Sequence, residues 1–331
     1  LPVPDHRLEA VARTIEPEKV THASMEFVDI AGLVKGASEG EGLGNEFLGH
    51  IQQVDAMAHV VRLFDDEDVA HVEGGLGPVR DIETVNGELI LKDLEVAKNH
   101  YEDAEKLARS GDKEGEFQVE ILESVLETLE QGKFVNCLTL EKEGWAFLKE
   151  MGLLTRKPII YVGNVSEDQL LALSGAGGEE DIPERCAEFK RHCDDKRVSH
   201  TWVCAQLESE LSELNDSEEA EMFLNDMGVE KSGLKSLVEL GYRALDLVTF
   251  YTVKGSETRA WELPEGTIAP RAAGRIHSDM EEGFIKAEVI PWNKLVEAGA
   301  FKAARDEGWM TVKGKDYMVR DGDVILFHFQ V

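Results

Sequence analysis

The chain has 331 residues and a net charge of -31, from 66 Asp and Glu against 35 Lys and Arg. Its 42 % hydrophobic content is ordinary for a chain that buries a sizeable core, and no uninterrupted apolar run approaches the ~18 residues of a membrane span. The charge opposes general binding to nucleic acid while leaving docking through a local basic patch open. Two explanations of the acidity stay open: a high-salt source, which we favour as a hypothesis, and an ordinary acidic cytosolic protein.

Taken in chain order, Asp5 is an N-cap candidate for a helix carrying Leu8, Val11, Ala12 and Ile15. Residues 24–30 read as a strand, followed by a glycine-rich stretch from Gly32 to Gly44, a helix over 45–53 and a buried strand over 57–64. Leu91, Leu94, Ala97, Tyr101, Ala104 and Leu107 then recur at helical spacing. Ser110-Gly111-Asp112 breaks the run, and Phe117, Ile121, Leu122, Val125, Leu126 and Leu129 resume it. Two helices joined by a tight turn predict an antiparallel helical hairpin inserted into an α/β domain. Strands are predicted at 157–163 and 199–204, with a helix over 182–193 between them. From about residue 248 the segments become β-rich, apart from a short helix near 292–298. Cys137, Cys186, Cys193 and Cys204 lack CxxC spacing, which argues for buried thiols in a reduced cytoplasmic setting rather than a zinc or disulfide framework.

Three elements carry chemistry, each after a predicted strand. Asp29-Ile30-Ala31-Gly32 places a carboxylate at a strand end, where it can hold Mg²⁺ directly or through water, and a glycine whose amide can approach a γ-phosphate. Asn164-Val165-Ser166-Glu167 and Cys204-Ala205-Gln206 follow in that order. Each is weak alone, since DxxG by itself is more often a capped turn. Their shared order matches that of the Mg²⁺, base-reading and base-backing loops of P-loop GTPases. Gly40-x-Gly42-x-Gly44 is not a dinucleotide loop: its spacing differs from GxGxxG, and Glu39 and Glu41 would repel a pyrophosphate.

The chain closely resembles the YchF/Obg-like ATPases. The resemblance lies in Asp29-Ile30-Ala31-Gly32-Leu33-Val34-Lys35-Gly36-Ala37, Gly40-Glu41-Gly42-Leu43-Gly44-Asn45, His71-Val72-Glu73-Gly74, Arg259-Ala260-Trp261, Ala273-Gly274-Arg275-Ile276-His277-Ser278-Asp279 and Asp321-Gly322-Asp323-Val324. It implies an α/β G-domain fold with a mostly parallel sheet, an inserted helical hairpin and a C-terminal TGS domain of β-grasp type. The expected boundaries are 1–84 and 134–247 for the two parts of the G domain, 85–133 for the hairpin and 248–331 for the TGS domain. The resemblance further implies a Mg²⁺-dependent ATPase that prefers ATP to GTP, is cytoplasmic and monomeric, and has the ribosome as partner.

On residues, the resemblance assigns Mg²⁺ support to Asp29 and γ-phosphate contact to Gly32. It puts Leu33 where many relatives carry a water-positioning Gln, so hydrolysis must use other groups or a bound cation such as K⁺. Asn164 would bind the base, with Val165 in place of the usual Lys. Glu167 stands where guanine-specific relatives carry a shorter acid. Cys204, Ala205 and Gln206 would form the loop beside the base. No GxxxxGK[ST] occurs in the chain. The phosphate loop is therefore expected upstream of Leu1, and the 331 residues alone are expected not to hold Mg-ATP. A non-catalytic module that docks on the ribosome or another partner is the alternative. Lys254, Arg259, Arg271, Arg275, His277, Lys286, Lys302 and Arg305 form a candidate basic set for docking, whereas Trp261 and Phe284 read as core.

Overall fold

The computed structural model describes residues 1–30, 49–65, 77–174, 182–214 and 217–330. They form two compact units, Val28–Leu237 and a second made of Leu1–Phe27 with Val238–Val331.

The first unit is built on a parallel sheet of β2 (Met57–Arg62), β3 (Ile159–Asn164) and β4 (His200–Val203), in that order. β3 is buried over Ile159–Gly163, as a central strand covered on both faces must be. Its core is formed by Val61, Leu63, Tyr161, Phe189 and Leu207, packed with Cys186 and Cys193 of the helix Glu184–Lys196. Cys186, Cys193 and Cys204 are buried and free, while Cys137 is free and exposed. Burial pushes the Cys186 thiol up to about 11 and that of Cys193 up to about 12, so neither is a ready thiolate.

The helical hairpin is present as α2 (Pro78–Arg109) and α3 (Lys113–Glu130). Asp112 caps α3, accepting from the Glu114 amide at 2.8 Å. A Cβ on Gly115 would lie 2.6 Å from the Ala108 nitrogen, so the close approach of the two helices needs glycine there. Leu122, Val125 and Leu129 are buried against Ala97, Ala104, Leu148 and Leu153. Each fully buried leucine contributes about 1.5–3 kcal/mol, which overrides the unfavourable charge density of the exposed faces.

Within α2, Asp93 is buried and accepts from the Leu154 amide (2.9 Å), the Thr155 amide (2.7 Å) and the Thr155 hydroxyl (2.6 Å). Burial outweighs these bonds and holds its carboxyl above the ordinary range. Lys157, also buried, donates to the carbonyls of Ile51 (2.6 Å), Gln52 (2.7 Å) and Val54 (2.6 Å), closing the end of the helical segment 49–53.

The second unit is a six-stranded mixed sheet. Its strands are β1 (Lys19–Thr21), β5 (Leu247–Lys254), β6 (Glu257–Pro264), β7 (Phe284–Pro291), β8 (Thr311–Lys313) and β9 (Asp323–Phe329), in the order β1-β6-β5-β9-β7-β8. Phe284 is buried, and Trp261 packs on the same core under the Arg259 guanidinium, 3.9 Å from the ring centroid. The chain start is stitched in by α1 (His6–Ile15), whose cap Asp5 accepts from Arg7 and, at 2.5 Å, from the Tyr251 hydroxyl.

Residues 1–27 pack with residues 238–331, where β1 pairs in parallel with β6 and α1 buries Leu8 and Val11 against Tyr251 and Ile290. One expectation is corrected. The strand expected over 24–30 does not form. Ser24 makes one bridge, to Pro2, Met25 exchanges hydrogen bonds with Leu1, and residues 26–30 join no ladder among the described residues. An alternating sequence cannot become a strand without a neighbour to satisfy its amides.

Candidate functional site at the ends of the parallel strands

The carboxyl ends of β2, β3 and β4 are tied together by hydrogen bonds. The Leu63 amide donates to the Asn164 carbonyl at 2.9 Å, and the Val165 amide donates to the Val203 carbonyl at 3.0 Å. Ser166 caps the helix α5 (Glu167–Leu173) in a reciprocal capping box with Gln169. The Gln169 amide group reaches back to the Leu63 carbonyl at 3.2 Å. The segment after β3 is therefore fixed on both sides.

Asn164 is partly exposed at the end of β3, and its Oδ1 accepts from the Ala205 amide at 3.3 Å. This bond joins two of the expected elements, 164–167 and 204–206. Val165 is buried at 2 % exposure, which explains why an apolar residue is tolerated there. Glu167 is the exposed first residue of α5, and no ion pair holds it among the described residues. Cys204 is buried at the start of the helix Ala205–Glu213, whereas Ala205 and Gln206 face solvent. The Gln206 side chain donates to Glu210 at 3.2 Å.

Gly163 permits this spacing. A Cβ on it would stand 2.7 Å from the Trp202 ring and 2.8 Å from Leu63, so a side chain would push apart the strands that present Asn164 and Ala205. Sequence reading missed two supports, Gln169 and Glu208. The Glu208 carboxylate accepts from the Ser232 hydroxyl (3.0 Å) and the amides of Gly233 (2.7 Å) and Leu234 (3.3 Å), anchoring the start of helix Gly233–Ala244. For Gln169, the signal was legible as Ser166 followed three residues later by Gln.

Asp29 is exposed, on a segment without regular secondary structure. Gly32 and Leu33 lie outside the described residues, as do 40–45 and 71–74. No group of three or more His, Cys, Asp or Glu side chains that could hold a metal occurs among the described residues. A lone exposed carboxylate still fits Mg²⁺, which keeps several waters and is commonly held by one or two carboxylates together with substrate phosphates.

The basic set expected in the second unit is largely neutralised. Arg271 pairs with Glu281 at 3.0 Å, Arg275 with Glu262, and Arg305 with Glu288 at 2.8 Å. Lys286 lies 3.9 Å from Glu288.

A parallel sheet whose strand ends join an Asn loop to an Ala-Gln loop defines the class: a nucleotide-binding domain of the GTPase type. Residues 6–99 match a family model described as 50S ribosome-binding GTPase, and residues 247–330 match YchF-GTPase_C, described as protein of unknown function (DUF933). The chain is 43 % identical over 329 residues to the ribosome-binding ATPase YchF of Bacillus subtilis (strain 168), covering 99 % of this chain and 88 % of that protein. It is 38 % identical over 340 residues to the protein of the same name from Escherichia coli O157:H7, covering 100 % and 88 %. The solved structure of the Schizosaccharomyces pombe YchF GTPase matches with a TM-score of 0.87 at 32 % identity, covering 99 % of this chain and 86 % of that one. The chain belongs to the YchF family of nucleotide hydrolases.

Proposed function

We propose that this chain forms most of a Mg²⁺-dependent hydrolase that takes ATP in preference to GTP and acts on the ribosome in the cytoplasm. The hydrogen bond from the Ala205 amide to Asn164 Oδ1 is the observation that carries the nucleotide reading. With Oδ1 occupied, the Asn164 amide nitrogen is left to donate to a purine N7, and Ala205 and Gln206 stand beside the base. Both purines offer N7, so Asn164 holds a purine without choosing between them.

The choice falls to Glu167. Guanine presents two donors, N1–H and the N2 amine, and its recognition needs an acid of fitted length. Glu167 is one methylene longer than Asp, and adenine lacks both donors. The guanine preference is lost, and ATP is accepted. Asp29 would hold Mg²⁺ through water, and Mg²⁺ when bound neutralises charge on the β- and γ-phosphates. Gly32 is assigned the γ-phosphate contact. Leu33 cannot orient water by a side-chain hydrogen bond, and K⁺ is the proposed substitute. The ribosome as partner rests on what the relatives are named for.

The test is displacement of a fluorescent ATP analogue from the complete protein by ATP and by GTP, with hydrolysis followed with and without ribosomes and K⁺. ATP is expected to compete at least about tenfold better, one well-placed polar contact. Equal competition by both nucleotides overturns the specificity reading. Hydrolysis of neither nucleotide, with ribosomes and K⁺ present, overturns the hydrolase reading in favour of a docking module.

A further inference from the structure

The second unit holds a cleft of about 320 Å³ between the helix Trp292–Ala298, β8 and the start of β9. Lys294, Lys313 and Arg320 line it, together with Trp309 and Tyr317. The Lys294 ammonium lies 4.5 Å from the Trp309 ring centroid, and the Lys313 ammonium 5.2 Å from that of Tyr317. The two rings therefore hold the two ammonium groups toward the cleft by cation–π attraction.

The charge balance of the cleft is the reverse of the chain's. Acids outnumber bases 66 to 35 overall, so a surface cation has ample choice of carboxylates. Lys294 takes one, Glu297 at 2.6 Å. Lys313 and Arg320 form no ion pair within 4.0 Å among the described residues. The single acid of the cleft is Asp323, which is 3 % exposed. Its Oδ2 is occupied by the Tyr317 hydroxyl at 2.7 Å and the Arg320 amide at 3.0 Å, and burial holds its carboxyl above the ordinary range. It braces the floor of the cleft.

We propose that this cleft is a binding site for a phosphate group, with the Arg320 guanidinium and the Lys313 ammonium as its ligands and Lys294 at the rim. Two cations without an ion-pair partner within 4.0 Å among the described residues match the charge of a dianion. A guanidinium fork suits two phosphate oxygens, while Lys supplies a point charge. The volume is at the small end of the range for ligand pockets and admits a phosphate or pyrophosphate with little attached. The phosphate can belong to a free phosphorylated compound or to a nucleic-acid backbone. This site lies wholly within the second unit, so its failure would leave the nucleotide reading of Asn164 untouched.

The probes are pyrophosphate and a short single-stranded oligoribonucleotide, titrated into the complete protein while tryptophan fluorescence is followed. W309F identifies the part of the signal that arises at the cleft. A saturable, Trp309-dependent change is expected, weakened at least about tenfold in K313Q/R320Q, the loss of one or two charge-assisted bonds. Melting and ATP hydrolysis of that variant are expected to match the parent, which separates a lost site from a lost fold. Response to pyrophosphate assigns a free phosphorylated compound; response to the oligonucleotide alone assigns a backbone phosphate. No Trp309-dependent response to either probe, or one unchanged in K313Q/R320Q, overturns the proposal.

Discussion

The backbone amide of Ala205 donates to Oδ1 of Asn164 across 3.3 Å, joining two loops 41 residues apart in sequence. The bond fixes the Asn164 amide group in one orientation before any base arrives. Asn164→Ala is expected to weaken ATP binding by the complete protein at least about tenfold while costing about 1 kcal/mol of stability, the net worth of one hydrogen bond. Calorimetric titration and urea unfolding of the same variant measure both. Unchanged affinity would remove Asn164 from the site.

Glu167 is proposed as the discriminating residue. Glu167→Asp shortens the acid at an exposed helix start already capped by Ser166, so the fold is expected to survive. The ratio of GTP to ATP affinity is expected to rise several-fold, about 1 kcal/mol, the scale of one hydrogen bond. Competition assays read it directly, and an unmoved ratio would place specificity elsewhere.

Lys157 closes the end of helical segment 49–53 with three bonds to backbone carbonyls. Lys157→Met keeps the apolar stem but leaves those acceptors without their donor. A loss of about 2–4 kcal/mol is expected, given the cost of unsatisfied buried polar groups. Denaturant midpoints measure it. A change below ~0.5 kcal/mol would show that water replaces the ammonium at no cost.

His59 supplies a pH dependence. Burial outweighs the nearby Asp81 charge and lowers its pKa from 6.5 to about 4. The unfolded chain therefore binds more protons than the folded one between those values. Stability contributed by neutral His59 is full above pH 6.5 and falls as pH drops toward 4, by up to about 3 kcal/mol. His59→Gln is expected to flatten the stability profile in that window. An unchanged slope would trace the acid sensitivity to other groups.

The net charge predicts a salt effect. At -31 the compact state repels itself, and added salt screens that repulsion. The melting temperature is expected to rise by several degrees from 0.1 to 2 M KCl, at about 2–4 °C per kcal/mol for a chain of this kind. A melting temperature that is equal or higher at low salt would argue against adaptation to a saline cytosol.

Local pattern was enough where an element is stabilised by its own neighbours. The helical hairpin was legible because 3.6-residue periodicity and the Ser110-Gly111-Asp112 break are written within some fifty consecutive residues. The strand that ends in Asn164 was legible as a short apolar run with a polar end. The ordered motifs, carried by residue type and spacing, were sufficient to indicate the family.

Tertiary structure decided what depends on partners distant in sequence. Residues 24–30 have the composition of a strand, yet strand formation requires a neighbouring ladder; Ser24 and Met25 meet Pro2 and Leu1, and residues 26–30 pair with no strand among the described residues. Lys19–Thr21 carries almost no strand signal and becomes one because β6, more than 230 residues later, offers its edge. The contact between Asn164 and Ala205, the glycine at 163 that permits it and the Glu208 brace behind it arise from how β3 and β4 lie side by side. Sequence nominated the residues proposed to read a nucleotide. Only the packing of the parallel strands decided which of them meet, because hydrogen bonds across a sheet are set by register and distance, not by order along the chain.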